Sequence, residues 1–492
     1  MLRICMLLQK IMERFNMELA YKAKSAWENL TKKELEEMEK LSESYLDFLN
    51  NGKTERECTV RIINEAKAHG FKSLEEVIKS GSAKKGTKVY MNNKEKSVVL
   101  MVLGNDITEG MNIIGAHIDS PRLDLKQMPL YEESGLAFLK THYYGGIKKY
   151  QWVTLPLAIH GVVCKTDGSV INVTIGEAAD DPVFCVSDIL PHLAQEQMKE
   201  KASDFIPGEN LDLILSSGIP QKKDKQKEQS DEKSSKNKEK YKKAVLKLLK
   251  SKYNIEEGDF ASAELEIVPA GLSRDCGIDR SLILAYGQDD RACAFTSVQA
   301  LFDSAAKTRT NCCLCVDKEE IGSVGATGMG SHLLENAVAE IISRMSGGYS
   351  DLTLRRCLAN SAMLSSDVNA AFDPMNGSLY DKDNSSFLGG GIVFNKYTGS
   401  RGKYSASDAN PEFIAKVRAL MEKNDIPFQM AELGKVDQGG GGTIAYLAAK
   451  YGMDVLDAGV SVLSMHAPWE LTNKEDICTA YNCYKIFLSL EK

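Results

Sequence analysis

Val316-Asp-Lys-Glu-Glu-Ile-Gly-Ser323 closes a run of small apolar residues that begins at Cys312. Such a run reads as a buried strand, and two adjacent carboxylates at its end are costly. An uncompensated buried charge either costs several kcal/mol or takes up a proton, so Glu319 and Glu320 call for something positive or reactive beside them. A metal ion answers that need. The plainer alternative is that both glutamates open a solvated loop, where charged side chains usually lie.

Strand-like and helix-like stretches alternate around this one. Leu282 to Ala285 reads as a strand, residues 292–303 as an Ala-rich helix, then comes the Cys312 strand, and the alternation continues to the end of the chain. The pattern predicts an open α/β sheet, whose sites lie at the carboxyl ends of its strands. Several apolar runs do end in a carboxylate or histidine just before a turn: Ile113-Ile-Gly-Ala-His117-Ile-Asp119, Leu282-Ile-Leu-Ala-Tyr-Gly-Gln-Asp289-Asp290, Cys312 to Glu320, Ala362-Met-Leu-Ser-Ser-Asp367, and Val460-Ser-Val-Leu-Ser-Met-His466. Taken singly, each has a bland reading, since a lone histidine is usually structural and an aspartate after a strand usually forms a turn or caps a helix. Together they supply two imidazoles and several carboxylates to one crevice.

That set exceeds the three protein ligands of one catalytic zinc, but fits two metals about 3.5–4 Å apart if one carboxylate bridges them. The nitrogen and oxygen donors suit Zn(II), with Mn(II) or Co(II) as alternatives. One of the paired glutamates is then free to act as general base, accepting a proton from a hydroxide-generating water between the metals and passing it to a leaving amine. Spacing alone leaves open which of the two it is. In His117-Ile-Asp119 the aspartate is placed to orient the imidazole from behind. The implied reaction class is metal-assisted hydrolysis of an amide.

At 492 residues the chain is longer than single cores usually grow, so more than one domain is expected. A net charge of −7 argues against non-specific nucleic-acid binding, and no stretch approaches the ~20 apolar residues of a membrane span. Twelve cysteines are too few for a disulfide scaffold; Cys312, Cys313 and Cys315 sit in an apolar run as core residues, which predicts a reducing, cytoplasmic setting. Residues 1–16 mix basic and apolar residues without the pattern of a secretory signal; between a weak targeting helix and an over-long gene start with the initiator at Met12 or Met17, the second is the plainer reading.

Helical spacing of Leu35, Met38, Leu41, Tyr45 and Phe48 predicts a helix over 20–50, and Thr54 caps a second at 56–68. Lys88-Val-Tyr-Met91 and Ser97-Val-Val-Leu-Met-Val-Leu103 predict a hairpin turning at Asn92-Asn93. From 122 the texture is mainly β. Residues 221–243, rich in Lys, Glu, Ser and Gln, have almost nothing to bury and read as a disordered insertion or solvated helix. Gly439-Gly-Gly-Gly-Thr443 lacks the lysine of a phosphate-binding loop and suits close backbone approach to a peptide instead.

The ordered blocks His117 to Pro121, Asp289, Glu319 to Ser323, Ser365 to Asp367, Gly439 to Thr443 and Met465-His466 resemble the M18 family of metallo-aminopeptidases, the aspartyl aminopeptidase and vacuolar aminopeptidase I group. The resemblance runs from about Glu18 to the C-terminus. It implies a zinc-exopeptidase-like mixed sheet flanked by helices, formed by 17–121 and 269–492, with an inserted β-rich oligomerisation domain at 122–268. It implies two metals bridged by Asp289, with His117 and Asp367 completing one site and Glu320 and His466 the other. Glu319 becomes the general base and Asp119 the carboxylate behind His117. Many members carry Asn where Asp290 stands, which favours Asp289 as the bridge.

It also implies peptide substrates, with acidic or neutral N-terminal residues, and large, often dodecameric, homo-oligomers. His192, in Leu190-Pro-His-Leu-Ala194, is similar to a histidine that members lend to a neighbour's substrate site. Two other functions share the same residues: an amidohydrolase or deacylase on a similar dinuclear site, and a non-catalytic assembly or cargo protein that keeps the fold.

Overall fold

The computed structural model describes residues 25–28, 30–218, 239–306, 308–399 and 401–491. The 1–16 stretch therefore lies outside the described residues, as does the Lys/Glu-rich run as far as 238. The last residues of that run enter the helix Lys240–Tyr253.

A mixed nine-stranded sheet forms the centre. Its spatial order is Lys72–Ser73, Lys88–Asn93, Ser97–Val102, Thr310–Val316, Met111–His117, Ala362–Ser365, Asp454–Gly459, Ile392–Asn395, Phe428–Met430. The four strands from Thr310–Val316 to Asp454–Gly459 run parallel, so their carboxyl ends emerge on one edge. Ser97–Val102, Met111–His117 and Thr310–Val316 are buried at every residue, as strands covered on both faces must be. Side chains alternate between two apolar clusters: Cys313 and Cys315 pack with Tyr45, Phe295 and Tyr484, whereas Cys312 and Leu314 pack with Val338 and Ile341. The C-x-x-C spacing thus puts Cys312 and Cys315 on opposite faces, which makes them core residues rather than a shared ligand pair.

Local sequence explains where elements begin. The first described helix is Lys32–Asn50, not 20–50, because Thr31 and Glu34 form a reciprocal capping box that satisfies the first free amides. The second, Glu55–Ala68, is capped by Thr54 in the same way. The hairpin turns one step later than its asparagines suggested: the strands extend through Asn93, and Lys94 and Glu95 take the positive φ values. The helix expected at 292–303 begins earlier, as Gln288–Phe302, with Asp289 and Asp290 non-helical in its first turn.

A six-stranded antiparallel sheet is drawn from Val170–Ile175, Leu157–Cys164, Ala263–Pro269, Arg122–Glu133, Leu136–Tyr144 and Leu213–Ser216, with its own apolar cluster around Trp152. A smaller sheet orders Arg274–Cys276, Leu282–Ala285, Glu470–Asn473, Ser461–Leu463 and Asn369–Ala370. The five strand ends singled out in the sequence therefore come from two sheets, not all from the open sheet that the alternation suggested. Asp289 and His466 follow strands of the small sheet, and the apolar run from 454 divides into Asp454–Gly459 in the large sheet and Ser461–Leu463 in the small one. Among the described residues no helix is long and apolar enough to cross a membrane.

Candidate metal centre

Four side chains reach the site from the parallel edge of the large sheet. His117 is the last residue of its strand, Asp367 lies just beyond Ala362–Ser365, and Glu319 and Glu320 form a short 3-10 turn after Thr310–Val316. Left-handed backbone at Lys318 and Gly322 brackets that turn and aims both glutamates back across the strand end. From the small sheet come Asp289, at the amino end of its helix, and His466, itself at positive φ. Glu470 locks these two together. Its carboxylate accepts the Asp289 amide at 3.1 Å and the His466 amide at 2.7 Å.

Asp289 is the hub. Its Oδ1 lies 3.2 Å from His117 Nε2 and its Oδ2 3.2 Å from His466 Nε2. Asp367 Oδ1 stands 3.9 Å from His117 Nε2, and Glu320 Oε2 3.6 Å from His466 Nε2. Potential ligand atoms of His117, Asp289 and Glu320, and of His117, Glu319 and Asp367, lie within 4.8 Å of one another.

The donor set fits cations. His117 Nδ1 faces the Asp119 carbonyl at 3.0 Å and His466 Nδ1 the Gly146 carbonyl at 2.9 Å, so each Nδ1 carries the proton and donates. In neutral rings both Nε2 lone pairs then point at one carboxylate, an arrangement that a positive charge between them resolves. Carboxylates outnumber the imidazoles, and buried Glu320 Oε1 and Asp290 Oδ1 have no hydrogen-bond partner among the described residues. Asp290 accepts the His117 amide at 3.3 Å through its other oxygen and stands behind the site.

Electrostatics sharpen the picture. Burial raises Asp289, but its bonds to His117 and His466 outweigh that and hold it well below the carboxylate range. Burial pushes Glu319 up to about 7, with His117 opposing and Asp289 adding to the rise. Burial likewise raises Glu320 and Asp367, Asp289 adding to the first and Asp290 to the second. Burial lowers His466, yet its bond to Asp289 lifts it to about 10.

The centre opens into a cavity of about 350 Å³ whose walls include Glu319, Asp367, Asn369, Asn395 and Gly440 to Gly442. Thr443 pins the glycine loop by donating to Asp457 at 2.6 Å. Asp119 lies behind His117 and the glutamate turn, its carboxylate 3.3 Å from His117 Nδ1 and accepting the amides of Glu319 at 3.1 Å and Glu320 at 3.2 Å. His192 is not brought to this cavity: it is exposed in the turn Pro191–Leu193. Glu470, Tyr144 and Gly146 escaped the sequence reading. Glu470 reaches the site by strand pairing opposite Ala285, a register that spacing from His466 does not reveal.

A family model described as Aminopeptidase I zinc metalloprotease (M18) matches residues 48–488. A probable M18 family aminopeptidase 1 of Clostridium acetobutylicum is 52% identical over 474 residues, covering 96% of this chain and 99% of the relative. Its Thermotoga maritima counterpart is 43% identical over 462 residues, covering 94% and 98%. Crystal structures agree: an M18 aminopeptidase from Thermotoga maritima superposes with a TM-score of 0.89 at 41% identity, over 95% of this chain and 99% of that one. Aminopeptidase I from Clostridium acetobutylicum gives 0.86 at 50% identity, over 96% and 100%. The chain belongs to the M18 family of zinc metallo-aminopeptidases, hydrolases of the exopeptidase class.

Proposed function

We propose that this aminopeptidase holds two divalent ions, zinc in the first instance with manganese or cobalt as alternatives, and uses Glu319 as its proton carrier to release N-terminal residues from peptides. The observation that supports it most is the facing of two imidazole Nε2 atoms onto the two oxygens of one buried carboxylate, Asp289. His117 and Asp367 would hold one ion, Glu320 and His466 the other, with Asp289 between. When bound, such ions act as Lewis acids on the scissile carbonyl and acidify water.

The chain's own groups do the rest. Glu319, held near neutrality by burial, is suited to take a proton from water and return it to the leaving amine. Asp119 fixes the imidazole of His117 and, through two amides, the turn that carries Glu319. The glycine loop lets peptide backbone approach closely.

Glu319→Gln should keep its metal while kcat falls by about 10²–10⁴; full turnover in this variant sinks the assignment. Metal-supplemented assays on aminoacyl anilides, set against N-acyl amino acids, separate this reading from the amidohydrolase and deacylase alternative. The cargo-protein alternative needs a chain that binds no metal.

The region 122–268 serves, on this reading, as the assembly module of a homo-oligomer, a dodecamer in the fullest case, beside a catalytic unit of 17–121 and 269–492. Its surface exposes Ile189, Leu190, Leu193 and Met198 around His192, an apolar patch of the kind that marks contact sites. His192 would then serve a neighbour's substrate site rather than its own. Every described cysteine is free, which suits the cytoplasm.

A further inference from the structure

Tyr144-Gly145-Gly146 leaves the six-stranded sheet at the end of Leu136–Tyr144 and runs against the ligand side chains. The Tyr144 hydroxyl donates to Asp119 Oδ2 at 2.8 Å, the oxygen that also accepts the Glu320 amide. Gly145 lies so close that an added Cβ would stand 3.3 Å from Glu320 Cβ and Oε2. Gly146 accepts the His466 Nδ1 proton at 2.9 Å, and a Cβ there would stand 3.3 Å from that nitrogen. Three consecutive residues thus touch supports of both halves of the centre.

The strap is itself anchored from behind. The Tyr144 ring covers the Arg122 guanidinium, whose carbon lies 4.0 Å from the ring centroid. Arg122 is buried and paired with Glu55 at 3.3 Å, Asp124 at 2.8 Å and Glu266 at 3.2 Å. Glu55 and Glu266 are fully buried carboxylates that take no part in the chemistry; both contact Arg122 and help to fix it under the ring.

We infer that Tyr144-Gly145-Gly146 is a positioning strap through which the six-stranded sheet sets the metal affinity of the catalytic centre: Tyr144 fixes the Asp119 carboxylate against His117 and the Glu319-Glu320 turn, and Gly146 fixes the tautomer of His466. A hydroxyl bound to an ionised carboxylate is a strong, directional bond, and the partners of ligand imidazoles hold their rings in place. The inference rests on the metal-centre reading above.

Tyr144→Phe removes the hydroxyl and leaves the ring on Arg122. In the purified full chain, competition with a chromogenic zinc chelator should show zinc bound about 10- to 100-fold more weakly, with kcat reduced and KM little changed. Tyr143→Phe, at an exposed neighbour in the same strand, should bind zinc as the wild type does. Gly146→Ala, which crowds His466 without touching Asp119, should weaken zinc independently. Wild-type zinc affinity in both Tyr144→Phe and Gly146→Ala overturns the inference and leaves the metal centre standing. A lowered apoprotein melting temperature with unchanged zinc affinity makes Tyr144 a packing residue and overturns it too. A wild-type chain that takes up no zinc overturns the centre and the strap together.

Discussion

Asp289 concentrates the site's electrostatics in one side chain, because each of its oxygens faces a different imidazole at 3.2 Å. Glu320 and Asp367 stand farther off, at 3.6 Å from His466 and 3.9 Å from His117, so neither offers two oxygens as close to both rings as Asp289 does. Asp289→Ala should therefore release most of the zinc, measured by elemental analysis after dialysis, whereas Glu319→Gln should keep it. Equal zinc in wild type and Asp289→Ala would contradict the bridge. The adjacency of Glu319 and Glu320 now has a physical use. One short turn sends Glu320 toward His466 and leaves Glu319 on the cavity wall, and Asp119 holds both through their amides.

At the scale of elements, the helix Glu55–Ala68 is tied to the six-stranded sheet by a buried ion cluster. His160 contacts Glu57 through Nδ1 at 2.8 Å and Glu177 through Nε2 at 3.0 Å, and Lys53 pairs with Glu177 at 2.6 Å. Both ring nitrogens face carboxylates, so both must donate, and the ring carries charge. Burial lowers the pKa of His160, but the bonds to Glu177 and Glu57 outweigh it and hold the value above that of a free imidazole. The sign follows: the folded state holds this proton more tightly, so the stabilisation is complete below about pH 6.5 and is lost as pH rises through the higher folded value. In zinc-loaded protein the melting temperatures of wild type and His160→Gln should differ most at the acid end and converge as pH rises. A gap that stays constant with pH would show that His160 is not charged.

For the whole molecule, the centre joins the two sheets that supply its histidines and carboxylates to the six-stranded sheet behind them, so on the proposed reading metal loss should be felt globally. Without cations, Asp289, Glu319, Glu320 and Asp367 crowd one buried volume. Free zinc at one hundred times its Kd stabilises the folded chain by about 2.7 kcal/mol, and chelation should lower the melting temperature accordingly; an unchanged melt on chelation would separate the centre from the fold. Much of this was legible beforehand. Apolar runs, strand-end carboxylates and the capping Thr54 are local signals, set by backbone geometry and by the cost of burying charge, so the sequence by itself determined the α/β class, the core cysteines and the side chains that meet at the centre. Only the tertiary structure decided that Asp289 and His466 arrive from a second sheet, that Glu470 locks them, and that Tyr144 and Gly146 brace the ligands from a third. Those contacts join residues up to 320 positions apart through strand register and close backbone packing, which no periodicity or spacing along the chain encodes.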